Sequence, residues 1–385
     1  MNKRKIYIFT HTFPSKGGEI YLTDEIEAIA QLGYDIIYCP YAQSTDDKQS
    51  LNKGFITKKK DRVTALKYIL GDFFVAPLAL TVRKFRYNLA MVKERIAAAR
   101  YYAKQIEKGS VIYTYWFDEL AITAGFIKQM RPDIKWVSRG HGFDIYEEQS
   151  DDNFLFFKQN KLALIDNLYT VSKNGAAYMK NQHPRYAHKI ETSYLGSPKF
   201  GELNINTQLN KLVIVSCAYI RSIKRLDLIM EALPLVAGCE IDWHIIGDGP
   251  DRDKLEFAAK ELPENIHCIF HGDCSKKDIS EIYTLPIDCF INVSVSEGLP
   301  VSIMEAISAG IPIIATDVGG TGEIVNESTG ALIEKDFNIN DLANIIMSQM
   351  PKFKDLEYRR LVFKHWEDCF NANTNYINFY QKISD

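Results

Sequence analysis

No stretch of this sequence is apolar for long enough to cross a bilayer. The longest such run, Phe73 to Val82, is interrupted by Pro77 and reaches about half of the roughly 20 residues that a spanning helix needs. No leader is expected either. Met1 to Lys5 is basic, but Pro14, Lys16 and Glu19 arrive before an apolar core could form. The seven cysteines include no CxxC pair and no Cys/His cluster, which excludes a structural zinc framework and fits thiols of a reducing compartment. No Asp-x-Asp pair closes a strand, so no acidic cage is visible and no metal is expected. The net charge is only −3, and no recognisable nucleic-acid reading module appears. No nucleic-acid partner is expected.

What charge there is sits unevenly. Between Lys53 and Lys108, 14 Lys/Arg face 4 Asp/Glu, so the rest of the chain carries about −13. Lys58, Lys59, Lys60, Arg62, Lys67, Arg83, Lys84 and Arg86 interleave there with Tyr68, Phe73, Phe74, Phe85 and Tyr87. Basic stems with charged tips, mixed with aromatics, suit an anionic membrane surface. A pair of packed helices with aromatics turned inward is the plainer alternative.

At 385 residues the chain exceeds the size of one hydrophobic core, and two domains of roughly 150–200 residues are expected. Strand patterns at Lys5–Phe9, Ile36–Cys39, Val111–Tyr115, Trp136–Ser138 and Leu168–Val171 alternate with helical ones, including Glu119–Met130 and Asn153–Lys161. A break near Gly196–Leu209 precedes a second series: Leu212–Ser216, Trp243–Ile246, Cys268–Phe270, Cys289–Val293, Ile311–Ala315 and Ala331–Ile333, with a helix at Leu226–Leu235. Alternation of this kind gives an α/β fold with parallel sheets covered on both faces. Ligands are then expected at the carboxyl ends of the strands.

The most informative segment is SEGLPVSIMEAISAG, residues 296–310. A strand ends, Glu297 and Gly298 form a loop, and Pro300 opens a helix running to about Ala309. The unpaired amides near Gly298, Leu299, Val301 and Ser302 suit a diphosphate. Glu305, in the second turn, is placed for ligand hydroxyls or is simply solvated. Lys224 and Arg225, following Arg221, offer cations for a leaving diphosphate, or form a solvated basic run. Gly247-Asp248-Gly249-Pro250 reads as a turn. His141, flanked by two glycines after a strand, suits a sugar hydroxyl. Gly17 and Gly18 form a turn, with Glu19 as a favourable first-turn charge.

Residues 296–310 resemble the glutamate–seven residues–glutamate signature of the large retaining glycosyltransferase family 4. The resemblance continues through PIIATDVGG at 312–320 and Glu323-Ile324-Val325, and covers nearly the whole chain. It implies a GT-B fold: two Rossmann-like domains facing across a cleft. Residues 1–200 would bind the acceptor, with a C-terminal helix at about 367–385 packing back on them, and residues 201–366 the nucleotide sugar. By resemblance, His141, Lys224 and Glu297 are catalytic, with His141 and Glu297 at the transferred sugar. Gly17, Gly18, Arg221, Lys224, Gly247, Gly298, Leu299, Val301 and Glu305 would bind the donor, Glu305 at the ribose. Glu19 would be an acceptor contact or base, and His271 would lie near the nucleotide base. One departure stands out. The family's arginine, five positions before its lysine, is here Tyr219; either Arg221 reaches in from two residues on, or the site relies on Lys224 and the helix amides.

The resemblance further implies a UDP- or GDP-sugar donor and a glycan or polyprenyl-diphosphate-linked acceptor in bacterial capsule, exopolysaccharide or lipopolysaccharide assembly. The expected location is cytoplasmic, peripheral on the inner face of the membrane. The alternative is a non-catalytic sugar-nucleotide-binding partner of a transferase.

Overall fold

The computed structural model describes residues 4–14, 19, 21–41, 57–73, 82–149, 155 and 157–384. The chain falls into two compact units, Met1–Tyr194 with Tyr376–Asp385, and Leu195–Asn375. In the first, β1 (Ile6–Thr10), α1 (Tyr21–Ile29), β2 (Ile36–Pro40), α2 (Lys59–Phe73), α3 (Val82–Tyr102), β3 (Val111–Thr114), α4 (Leu120–Met130), β4 (Lys135–Gly140), α5 (Lys158–Leu164), β5 (Asn167–Thr170), α6 (Lys173–Gln182) and β6 (Ile190–Thr192) follow one another. All strand pairs are parallel, in the order β2-β1-β3-β4-β5-β6. β1 and β3 are buried along their whole length, as the unbroken apolar runs of strands covered on both faces require.

The second unit holds β7 (Lys211–Cys217), α7 (Leu226–Ala232), β8 (Glu240–Ile246), α8 (Arg252–Ala259), β9 (Ile266–Gly272), α9 (Lys276–Ile282), β10 (Cys289–Asn292), α10 (Val301–Ser308), β11 (Ile313–Thr316), α11 (Thr321–Ile324), β12 (Gly330–Ile333), α12 (Ile339–Phe353) and α13 (Leu356–Cys369). Its parallel sheet runs β12-β11-β10-β7-β8-β9. The last helix, α14 (Ala372–Ser384), starts in the second unit and passes to the first at Tyr376. Its Phe379 and Tyr380 rings pack on Tyr113. Beneath them the fully buried Arg139 guanidinium lies 3.9 Å from the Phe379 ring centre and donates to the Tyr113 hydroxyl at 2.9 Å.

Each strand order reverses once. In the first sheet the reversal lies between β1 and β3, in the second between β7 and β10. At such a point the connections leave to opposite faces, opening a crevice beyond the carboxyl ends of the two strands. These two places organise the chemistry below.

Several boundaries differ from the sequence expectation. The helix expected at Asn153–Lys161 starts at Lys158, because Phe157 takes a left-handed φ of 66° that a helix cannot run through. Pro234 ends α7 at Ala232 and leaves a 3-10 turn over Leu233–Leu235. Pro300 stands as the cap before α10 rather than in its first turn. The three-residue β6 was too short to give a pattern.

The basic region is corrected in one respect. Tyr68 lies 5.0 Å from Phe126 and 5.1 Å from Phe157, ring centre to ring centre, and Phe85 packs against the same core. These two aromatics belong to the interior, on the sides of α2 and α3 that pack against the core. Phe74 lies outside the described residues, as do the side chains of Phe73 and Arg83. Lys59, Lys60, Arg62, Val63, Lys67 and Leu70 of α2 stay exposed, as do Arg86 and Tyr87 of α3. No helix among the described residues is long and apolar enough to cross a membrane.

Candidate functional site

In the second unit the loops after β7 and β10 meet at the strand-order reversal. Lys224 Nζ lies 2.6 Å from Glu297 Oε1, with both side chains mostly buried. Asn292, the last residue of β10, donates from Nδ2 to the same carboxylate oxygen at 3.2 Å and accepts the Ser294 amide at 3.1 Å. Sequence reasoning read Asn292 only as strand.

The glutamate loop is held from three sides. The Val295 amide donates to Ile223 of the lysine loop at 2.9 Å, and Arg225 donates from Nε to the Val293 carbonyl at 2.6 Å. On the third side Gly319, at φ 57°, runs so close that a Cβ there would lie 1.8 Å from the Glu297 carbonyl oxygen. The Gly320 amide donates to Gly298 at 2.8 Å. Only glycine fits this left-handed close approach.

The amides of Gly298, Leu299, Val301 and Ser302 have no hydrogen-bond partner among the described residues. Open amides at a helix start, with the dipole of α10 behind them, are chemically suited to an anion. Leu299 is buried, Val301 half-buried, and Glu305 is 8% exposed one turn further on. Glu305 is near enough to Cys217 to add to the upward push that burial gives that thiol. Gly247, at φ 125°, packs its Cα against the Ala218 carbonyl and donates its amide to Gly272 at 2.8 Å. This ties the turn after β8 to the chain leaving β7.

Arg221 is exposed, and its guanidinium makes no hydrogen bond or ion pair among the described residues; its carbonyl accepts the Lys224 amide at 2.8 Å. Tyr219 is 61% exposed. His271 Nε2 is 2.9 Å from His244 Nδ1 in a stacked pair, and burial lowers both imidazoles below the ordinary histidine range.

In the first unit His141 follows β4. Asp144, fully buried, accepts amides from His141 at 2.7 Å, Gly142 at 3.0 Å and Phe117 at 2.9 Å. The His141 ring nitrogens are both buried without a hydrogen-bond partner; Nδ1 stands 3.7 Å from the Asp144 carboxylate. A hydroxyl-bearing ligand would satisfy them. Trp116 packs at a tilt against this imidazole, 4.2 Å between ring centres, and against the half-exposed Phe143 at 5.0 Å.

Glu19 stands just after the loop that leaves β1. Its carboxylate accepts the backbone amides of His11, Thr12 (3.2 Å) and Phe13 (2.9 Å). It fixes the loop leaving β1. Gly17 and Gly18 lie outside the described residues.

One group among the described residues has metal-ligand spacing: Glu240, Asp242 and His267. Lys211 Nζ sits 3.0 Å from Glu240 and 2.7 Å from Asp242, so an ammonium already supplies the charge a cation would bring. The group lies at the amino ends of β8 and β9, opposite the site.

Two parallel-sheet units of this topology define the GT-B architecture. Over 99% of both chains the fold matches that of Anabaena Alr3699/HepE in complex with UDP and glucose, with a TM-score of 0.69 at 14% identity. Residues 202–354 match the family model "Glycosyl transferases group 1", and the chain is related to that family. The sulfoquinovosyl transferase SQD2 of Arabidopsis thaliana is 28% identical over 144 residues, 37% of this chain and 26% of that one. The O-antigen biosynthesis glycosyltransferase WbnH of Escherichia coli is 39% identical over 92 residues, 24% of this chain and 25% of that one. These alignments span about a quarter of each relative's length.

Proposed function

We propose that this chain is a glycosyltransferase that moves a sugar from a nucleoside-diphosphate donor, of UDP or GDP type, to a glycan or lipid-linked glycan acceptor in cell-surface polysaccharide synthesis. The reading rests on the Lys224–Glu297 pair set beside four unpartnered amides at the reversal of strand order. Positive charge and amide dipoles converge where a diphosphate would leave, and a fixed carboxylate stands beside them. In transfer, the bond from the anomeric carbon to the donor phosphate oxygen breaks as the acceptor oxygen bonds to that carbon. The growing negative charge on the diphosphate is stabilised by Lys224 and by the amides of Gly298, Leu299, Val301 and Ser302. Glu297, already oriented by Asn292, exchanges its hold on Lys224 for the sugar's hydroxyls, and Glu305 accepts from the ribose. His141 offers its ring nitrogens to a sugar hydroxyl.

Because a lysine and helix amides supply this stabilisation, no divalent cation is required in the reading. The test is nucleotide release from a panel of UDP- and GDP-sugars, in excess chelator, with a polyprenyl-diphosphate-linked glycan as acceptor. Turnover is expected. Loss in chelator restored by Mg²⁺ would reject the metal-free route.

The exposed Tyr219, standing where the family resemblance implies an arginine, favours one second reading: a binding partner without turnover. Slow donor hydrolysis by the purified chain separates the two, since a mere binder releases no nucleotide.

The location consistent with this work is the cytoplasmic face of the membrane. The exposed basic and apolar side chains of α2 would lie against anionic lipid.

A further inference from the structure

Arg225, next to Lys224, holds a backbone conformation that side chains rarely adopt. Its φ is 51° and its ψ 39°, the left-handed region where a Cβ crowds the following carbonyl. Among the described residues only Phe157 is another non-glycine at positive φ. Glycine would take this turn freely, so an arginine here is held by what surrounds it.

The guanidinium does the holding. Nε donates to the Val293 carbonyl at 2.6 Å, Nη1 to the Lys335 carbonyl at 2.8 Å, and Nη2 to the Ser294 carbonyl at 3.5 Å. The Phe337 ring centre lies 5.1 Å from the guanidinium carbon. Val293 and Ser294 follow β10, Lys335 and Phe337 follow β12, and Arg225 itself follows β7. One planar fork therefore ties three strand-end loops together, which the single ammonium of a lysine could not do.

What this tie encloses is Lys224. The residue before the lysine, Ile223, accepts the Val295 amide at 2.9 Å, and the residue after it, Arg225, donates to Val293. The lysine is thus bracketed on both sides by bonds to the segment that leads into Glu297, and its ammonium meets that carboxylate at 2.6 Å. The left-handed turn adds direction. The 3-10 turn Ser222–Lys224 ends at Arg225, and α7 starts at the next residue. A φ of ordinary sign there would redirect the chain between the lysine and α7 and break the bracket.

We propose that Arg225 is a positioning residue for the transfer reaction and acts through Lys224; the proposal rests on the glycosyl-transfer reading and on the second unit alone. Arg225 keeps the ammonium where negative charge grows on the leaving diphosphate, once Glu297 has turned to the sugar. Without the clamp the lysine has its charge but no fixed place, and a misplacement of about 1 Å can cost about 100-fold in rate.

The experiment is a double-mutant cycle on Lys224 and Arg225. It is read by single-turnover nucleotide release from the UDP- or GDP-sugar that wild type turns over, with calorimetric nucleotide affinity and Tm alongside. Arg225→Gly relieves the turn as it removes the clamp, so its Tm should stay close to that of wild type. Its nucleotide release should slow by about 10-fold or more. Nucleotide affinity should stay within about threefold, because the α10 amides are untouched. Arg225→Asn, which also tolerates the left-handed region but is too short to hold all three carbonyls, should slow to a similar degree. Lys224→Ala/Arg225→Gly should match Lys224→Ala within about twofold, since a clamp on an absent ammonium has nothing to place. Release by both Arg225 variants within about threefold of wild type overturns the assignment, and so does a double variant in which the two losses multiply. A loss of rate that comes only with matching losses of Tm and nucleotide affinity also overturns it, and marks Arg225 as a clamp for stability alone. Wild type that releases no nucleotide would instead overturn the glycosyl-transfer reading itself, so the two failures are distinguishable.

Discussion

Lys224 and Glu297 close a 2.6 Å ion pair from opposite sides of the point where the strand order of the second sheet reverses. Seventy-three residues separate them in sequence, and their meeting depends on β7 and β10 being neighbours. In the proposed reaction, an ammonium held by a carboxylate is a preorganised partner for an arriving diphosphate. Its position is already set, and only the counter-charge changes.

Replacing the cation should therefore act mainly on turnover. Lys224→Ala is expected to lower kcat by about 10²–10³, the range found when one donor to developing charge is removed. Nucleotide affinity should change less, because the α10 amides remain. Single-turnover nucleotide release checks this, and an unchanged rate where chemistry is limiting would remove Lys224 from the role.

Glu305 should behave in the opposite way. It sits one turn into α10 and is mostly buried, so its charge can act on a bound ribose at short range. Glu305→Gln is expected to weaken nucleotide binding by about 1.5–3 kcal/mol, the worth of a charged hydrogen bond. The thermal melt without ligand should stay close to wild type. Calorimetric affinity equal to wild type would exclude the ribose contact.

Asp144 gives a pH-dependent stability prediction. Burial alone would raise its carboxyl, but the nearby His141 imidazole and the amides of Phe117 and His141 outweigh this and hold it below the ordinary carboxylate value. A lowered folded-state pKa means that the stabilisation is complete above the unfolded value of about 4 and is lost as pH falls through the folded one. Thermal unfolding should thus show wild type losing stability in acid. Asp144→Asn should be about 1–3 kcal/mol less stable at neutral pH and flatter in acid. Parallel curves for the two proteins would contradict the assignment.

Much of the second unit was legible because its strands are unbroken apolar runs and its chemistry lies close together in sequence. Glu297, Gly298 and Glu305 sit within nine residues, and the strand-loop-helix pattern around them has one folding outcome. Asn292 escaped because an asparagine ending a strand has no signal until Glu297 is seen 3.2 Å away. The 2.5 Å contact of His11 Nε2, just after β1, with Asp118 Oδ2, beyond β3, escaped for a stronger reason. The two stand 107 residues apart, and only the parallel pairing of β1 with β3 joins them. The direction of Tyr68 and Phe85 stayed open between lipid and core because composition records which side chains a helix has, not which way they turn. Glu19 was legible as a helix-start charge, yet its grip on three preceding amides is a loop geometry that no spacing encodes.

The exposed face of α2 carries the last prediction. Lys59, Val63, Lys67 and Leu70 recur at intervals of three and four residues and so form one stripe. Val63 is 56% and Leu70 46% exposed. The opposite side, with Ala65 and Ile69, is buried in the core, and Asp61 is paired with Arg100. The one acidic group near the start of α2 is thereby neutralised, and the stripe presents cations and short apolar side chains together. Each lysine near an anionic surface contributes about 1 kcal/mol, an attraction that falls off within a Debye length and weakens in salt. Val63 and Leu70 would add apolar burial that salt does not screen. Flotation with anionic vesicles should therefore recover wild type, lose most of Lys59/Lys60/Lys67→Glu, and recover Val63/Leu70→Ser at an intermediate level. High salt should depress binding of the wild type more than its apolar contribution alone would allow. Neutral vesicles should recover little of any variant. Equal recovery on both lipids, or binding indifferent to the charge reversals, would leave α2 as an ordinary solvated helix and locate membrane attachment, if there is any, elsewhere on the chain.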